Sequence, residues 1–117
     1  MPYTVKKIKD SNPKNITCGI MRNLTISEDF KGMDFAHVTI TDKTKEHYHK
    51  ELTEVYYVLK GSIAVEIDGK VENLEKDSLI MIYPNINHKA WKTSKEDAEI
   101  LVACCPPWRE EDEMLVE

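Results

Sequence analysis

Between residues 35 and 105 the chain is cut into short runs of β-branched and aromatic residues, separated by turn-forming residues at intervals of roughly 8–12 positions. That rhythm leaves little choice of fold. The runs are FAHVTIT at 35–41, EVYYVLK at 54–60, SIAVEI at 62–67, KVENL at 70–74, SLIMIY at 78–83, HKAWKT at 88–93 and EILVACC at 99–105. Branched and aromatic side chains suit the pleated, half-buried surface of a sheet, whereas helical periodicity is hard to find. The expected fold class is all-β, a small antiparallel β-barrel with meander or Greek-key connections.

The punctuation adds detail. Asp68-Gly69 is a strong hairpin signal, because both central residues of a type I′ turn take positive φ. Gly61 separates two further runs, so those at 54–60, 62–67 and 70–74 are expected to be consecutive neighbours. Residues 75–77 and 84–87 supply two more reversals, with Pro84 fixing φ and Asn85 tolerating the left-handed region. Ahead of Phe35, YTVKKIK at 3–9 reads as one more edge strand and SNPKN at 11–15 as a loop. Pro106-Pro107 ends the sheet. It leaves 106–117 as an acidic C-terminal tail, solvated and either loosely ordered or forming a short helix.

A chain of 117 residues without an internal repeat or linker is the size of one domain, 1–117, able to bury a core without disulfides. Its formal net charge of −5, with lysines alternating with acids, argues against nucleic-acid binding, which needs a clustered basic surface. No apolar stretch approaches the ~20 residues of a bilayer span, and the first fifteen residues lack the apolar segment of a secretory signal. The three cysteines are an odd number, and Cys104 and Cys105 are adjacent, which makes mutual bonding awkward. Reduced thiols and a cytoplasmic location are expected, with no membrane partner.

One cluster carries chemistry. In an extended strand residues i and i+2 share a face, so His47 and His49 present both imidazoles to one side. The polar stretch 50–53 can turn the chain, and Glu54 then returns a carboxylate towards the same point. His88, after the Pro84–Asn87 turn, is placed to face the same interior. Imidazole and carboxylate together suit zinc, iron, copper, nickel and manganese, so the set describes one divalent-metal site without choosing the element.

The spacing resembles that of the cupin superfamily. The first cupin motif runs H-x-H, three or four residues, E, six residues, G, and here it reads HYHKELTEVYYVLKG within 41–61. The second, a turn leading into a metal-binding histidine, reads DSLIMIYPNINHKAWKT over 77–93. Thr41 and Asp77 stand where glycines are usual, Asn85 replaces the turn glycine, and Lys92 or Thr93 lies where an asparagine is common. None of these departures removes a ligand. The resemblance implies a jelly-roll, or double-stranded β-helix, with metal ligands His47, His49, Glu54 and His88, and a homodimer to which YTVKKIK would suit an edge partner.

Around the site, Tyr56 shares the side of Glu54 and is a candidate pocket hydroxyl, and His37 is a second pocket candidate, although each also reads as ordinary packing. Trp91, Met81, Tyr83 and Cys104 read first as core and only second as cavity lining. Cys104 and Cys105 lie in an apolar run that should keep them unreactive. An open four-ligand metal site suits Lewis-acid or dioxygen chemistry. The reading that follows is a metal-dependent enzyme of dioxygenase or isomerase/lyase type acting on a small oxygenated metabolite. The alternative is a noncatalytic metal- or small-ligand-binding module with a sensing role.

Overall fold

In the computed structural model, which describes residues 2–25 and 30–116, the regular structure is almost entirely strand. Numbered in chain order, the strands are β1 (Pro13–Ile16), β2 (Gly19–Asn23), β3 (Asp34–Ile40), β4 (His47–His49), β5 (Thr53–Lys60) and β6 (Ile63–Ile67). They continue as β7 (Lys70–Leu74), β8 (Leu79–Ile82), β9 (His88–Lys92), β10 (Ala98–Cys105) and β11 (Glu113–Leu115). Six form one antiparallel sheet in the order β1-β2-β3-β10-β5-β8, and five form the other in the order β11-β4-β9-β6-β7. No helix among the described residues is long and apolar enough to cross a membrane.

Alternation explains why the two sheets close on one another. In β5 the even-numbered residues Glu54, Tyr56 and Val58 are buried and the odd-numbered ones half-buried, as a strand with one inward face requires. Val58, Ile63, Val65, Ala98 and Ile100 meet between the sheets and are almost wholly excluded from water. Asp68 and Gly69 both take positive φ, 47° and 86°, and join β6 to β7 in the tight hairpin that the dipeptide announces.

Several expectations need correction. The runs at 54–60 and 62–67 are not paired neighbours: β5 and β6 lie in different sheets, and Gly61, at φ 72°, is the corner between them. Residues 3–9 form no strand; Tyr3 and Val5 are exposed, and Ile8–Asp10 makes a 3-10 turn closed by Ser11 Oγ donating to the Ile8 carbonyl. The stretch read as a loop at 11–15 instead enters β1, where Pro13 opens an edge strand and its missing N–H costs no ladder bond. β2 was hidden because Gly19 sits against the β3 backbone, where a Cβ would lie 1.9 Å from the Thr39 carbonyl oxygen.

Met81 and Tyr83 are not core either: they are 52% and 62% exposed, on and just beyond β8 and alternating with Ile82, which is buried. The acidic tail differs most from expectation. It folds back as a 3-10 turn at Glu110–Asp112 followed by β11, which pairs with β4, and Asp112 is only 2% exposed. The reason is a distant partner: the N–H groups of residues 50–52, just past β4, find their acceptors there.

Candidate metal centre

β4 is three residues long and turns His47 and His49 inward, leaving Tyr48 half-buried between them. β9 begins opposite it, with His88 in register with His47, and β5 brings Glu54 in from the other sheet. One potential ligand atom from each of His47, His49, Glu54 and His88 lies within 4.8 Å of all the others, and all four residues are buried. The turn before β9 helps: Asn85, at φ 66°, donates its N–H to the His49 carbonyl at 2.7 Å, tying the two ligand-bearing segments together. Asp77, in a glycine's usual place, likewise has positive φ, 69°.

The protons on these rings are constrained. His47 Nδ1 lies 2.8 Å from the Lys45 carbonyl and His88 Nδ1 2.9 Å from the Ile86 carbonyl, so each donates there and turns Nε2 towards the centre. His88 Nε2 then stands 3.0 Å from Glu54 Oε1, an approach that needs either a proton on Nε2 or a cation held by both atoms. His49 Nε2 is 3.7 Å from the same oxygen, and both ring nitrogens of His49 are buried without a hydrogen-bond partner. A buried carboxylate and three converging imidazoles, two with their Nδ1 protons committed elsewhere, form a donor set that fits a divalent cation.

Electrostatics point the same way. Burial alone would raise the Glu54 pKa, but the His49 and His88 rings beside the carboxylate outweigh it and hold the carboxyl well below the usual range. Burial and the charge of His88 push His47 down, whereas for His49 the attraction of Glu54 overcomes burial and raises it. Tyr56 donates from its hydroxyl to Glu54 Oε1 at 2.8 Å; burial and that neighbouring charge push its pKa far up, so it remains a proton donor. Cys104 Sγ is 3.9 Å from Glu54 Oε2, and burial raises its pKa too, which keeps it a thiol and a poor nucleophile.

His37 lies elsewhere. It faces away from the cavity on β3, with Nε2 3.0 Å from Glu99 Oε1. Trp91 is half-buried, with the Lys43 ammonium 5.5 Å from its ring centre. Sequence reasoning passed over Asp112 altogether. Its Oδ2 lies 3.8 Å from His49 Nδ1, while its carboxylate accepts the N–H groups of Glu51 and Leu52 at 2.8 and 3.3 Å. The only hint was the apolar run Met114-Leu115-Val116 after the acids, which gives that end a reason to pack.

Beside the centre opens a cavity of about 710 Å³, with His47, Glu54, Tyr56 and Cys104 at one side of its lining.

Comparison with known proteins agrees with this architecture. The chain is 29% identical over 102 residues to the Methanocaldococcus jannaschii protein MJ1618, covering 84% of this chain and 82% of that one. It is 26% identical over 106 residues to the Streptomyces cyaneus polyketide synthase CurC, covering 87% and 69%. Among solved structures, Streptomyces Pac13 with uridine superposes with a TM-score of 0.85 at 16% identity, over 100% of this chain and 93% of that one. The family profile described as Cupin domain matches residues 36–104, which span β3 to β10 and all four clustered side chains. The chain therefore belongs to the cupin superfamily, as a domain of the cupin 2 type.

Proposed function

We propose that this protein is a metal-dependent enzyme that binds one divalent cation through His47, His49, Glu54 and His88 and acts on a small oxygenated metabolite. The observation that carries the reading is the 3.0 Å approach of His88 Nε2 to Glu54 Oε1 while His88 Nδ1 faces a backbone carbonyl. A proton on His88 would satisfy that pair alone, but the convergence of His47 and the unpartnered His49 Nε2 on the same point favours a cation. A bound divalent metal supplies Lewis acidity, or dioxygen chemistry if it is redox-active.

The chain's own groups then have distinct tasks. Glu54 stays ionised and buried, Tyr56 holds a proton on its hydroxyl beside the ligand carboxylate, and Cys104 holds one on sulfur. Tyr56 is thus the side chain suited to turn its one hydroxyl proton from Glu54 to a substrate oxygen. Pac13 is described as a nucleoside dehydratase, which supports a small molecule as the ligand. The adjoining cavity favours an enzyme or ligand binder over a purely structural site.

The experiment is elemental analysis of protein purified without added metal, beside a His49→Ala variant, followed by oxygen uptake with candidate substrates. About one divalent ion per chain, lost in the variant, is expected. Unchanged metal content in His49→Ala would sink the assignment, and a redox-inert metal without oxygen uptake would remove the dioxygenase branch in favour of isomerase or lyase chemistry.

A further inference from the structure

We infer that the cavity takes an elongated ligand whose oxygen-bearing head meets the metal ligands and whose body is hydrocarbon, rather than a polyol or sugar acid. The inference rests on the metal reading above and gives its substrate a chemical class.

The argument is one of register. Side chains paired across an antiparallel sheet share a face, so the inner face of the six-stranded sheet can be followed strand by strand away from the metal ligands. Glu54 on β5 is paired with Cys104 on β10, and that row is polar. The next row runs from Tyr56 through Val102 and Ala36 to Asn23, and the one after it from Val58 through Ile100 and Val38 to Met21 and Lys14. Both rows therefore leave the ligand side, cross hydrocarbon on β10 and β3, and reach a polar group only at β2 or β1. At about 4.8 Å between strands, the crossing from Tyr56 to Asn23 covers roughly 14 Å.

All of these side chains except Val58 line the same cavity. A polyol laid across Val102, Ala36 and Val38 would give up its hydrogen bonds to water with no side-chain donor or acceptor on that stretch of wall to replace them; the cavity's other polar lining residues, Thr25, Thr44, Lys45 and Glu113 among them, stand off these rows. An alkyl or aromatic body would lose nothing there and would cover apolar surface. Such a ligand keeps its oxygens at one end, where the metal ligands and the Tyr56 hydroxyl stand.

Alkyl hydroxamates test this, because the head chelates metal and the tail can be lengthened alone. Calorimetric titration of zinc-loaded protein with acetohydroxamate, hexanohydroxamate and gluconohydroxamate separates the terms. Each buried methylene should tighten binding about fourfold, giving a gain on the order of 200-fold from acetohydroxamate to hexanohydroxamate. The polyol should bind more weakly than hexanohydroxamate. A gain of 20-fold or more with that order supports the inference; a smaller gain, or a polyol that binds as well, overturns it. Val102→Thr keeps the branched shape and should cut the gain at least threefold with acetohydroxamate affinity unchanged; an undiminished gain also overturns it. If no hydroxamate binds the zinc-treated protein, the metal reading itself fails.

Discussion

Replacing Asp112 with alanine tests whether the C-terminal segment holds the metal centre in shape. The carboxylate accepts the N–H groups of Glu51 and Leu52 and lies 3.8 Å from His49 Nδ1, so it grips the chain just beyond β4 on three sides. Hydrogen bonds to a charged acceptor contribute about 1.5–3 kcal/mol each. The bond to Leu52 is long at 3.3 Å and the one to Glu51 is only part-buried, so the low end applies to both and the loss is about 3 kcal/mol. Arg109, 48% exposed and 4.0 Å away, adds little. At about 4 °C per kcal/mol for a chain of this size, the melting temperature should fall by about 12 °C. Loss of the carboxylate behind a ligand imidazole should also weaken metal binding by about 10-fold, the low end for an outer partner, because 3.8 Å is beyond hydrogen-bond distance. Thermal melts with and without a chelator, and competition with a chromophoric zinc chelator, measure the two effects. Asp112→Asn keeps one acceptor oxygen but no charge, and should fall between. An alanine variant that melts within about 2 °C of the parent, or holds zinc within about threefold, refutes the reasoning.

Other outcomes follow from the same geometry. Tyr56→Phe removes the hydroxyl from Glu54 but keeps the ring, so metal content should persist while turnover falls about 10–100-fold, as for loss of a positioned proton donor; full activity would remove Tyr56 from the chemistry. His37→Gln, on the outer side of β3, should leave metal content and hydroxamate affinity unchanged, which a titration checks. For pH, the His49 pKa is raised in the metal-free fold, so its stabilising contribution is complete below about pH 6.5 and is lost as pH rises through that raised value. Chelator-treated protein should therefore melt lower at pH 8.5 than at pH 6.5, while metal affinity, which needs neutral His49, should rise over the same interval. The Leu79 and Met81 side chains on the outermost strand β8 are 48% and 52% exposed, and a homodimer packed there is expected from light scattering; Met81→Lys should shift the mass towards a monomer.

The strands legible in the sequence are those whose own residues determine them. β5, with its strict alternation, and the β6–β7 hairpin, with its Asp68-Gly69 turn, lie within a residue of where pattern and turn chemistry put them. Where the outcome depended on a distant partner, the pattern misled. Gly61 can serve a hairpin or a corner equally well, and only the other sheet decides. β1 and β2 are short, and they exist because β3 offers an edge on which Gly19 lets the backbone settle.

The same division runs through the candidate site. His47 and His49 are brought together by the two-residue period of a strand, Glu54 by one short turn, and His88 by a turn that Asn85 makes in the left-handed region. Those constraints are local, so spacing carried them. Asp112 reaches the site across 63 positions of sequence from His49, held by backbone N–H groups that every residue type possesses, and it therefore left no spacing to read. A site whose ligands are locally encoded but whose support comes from the chain's far end should lose metal affinity in two ways. Substitution of a ligand removes a donor outright. Cutting the chain after Cys105 leaves all four donors in place but frees the segment that β11 and Asp112 hold, so weakened rather than abolished zinc binding is the result that this division requires.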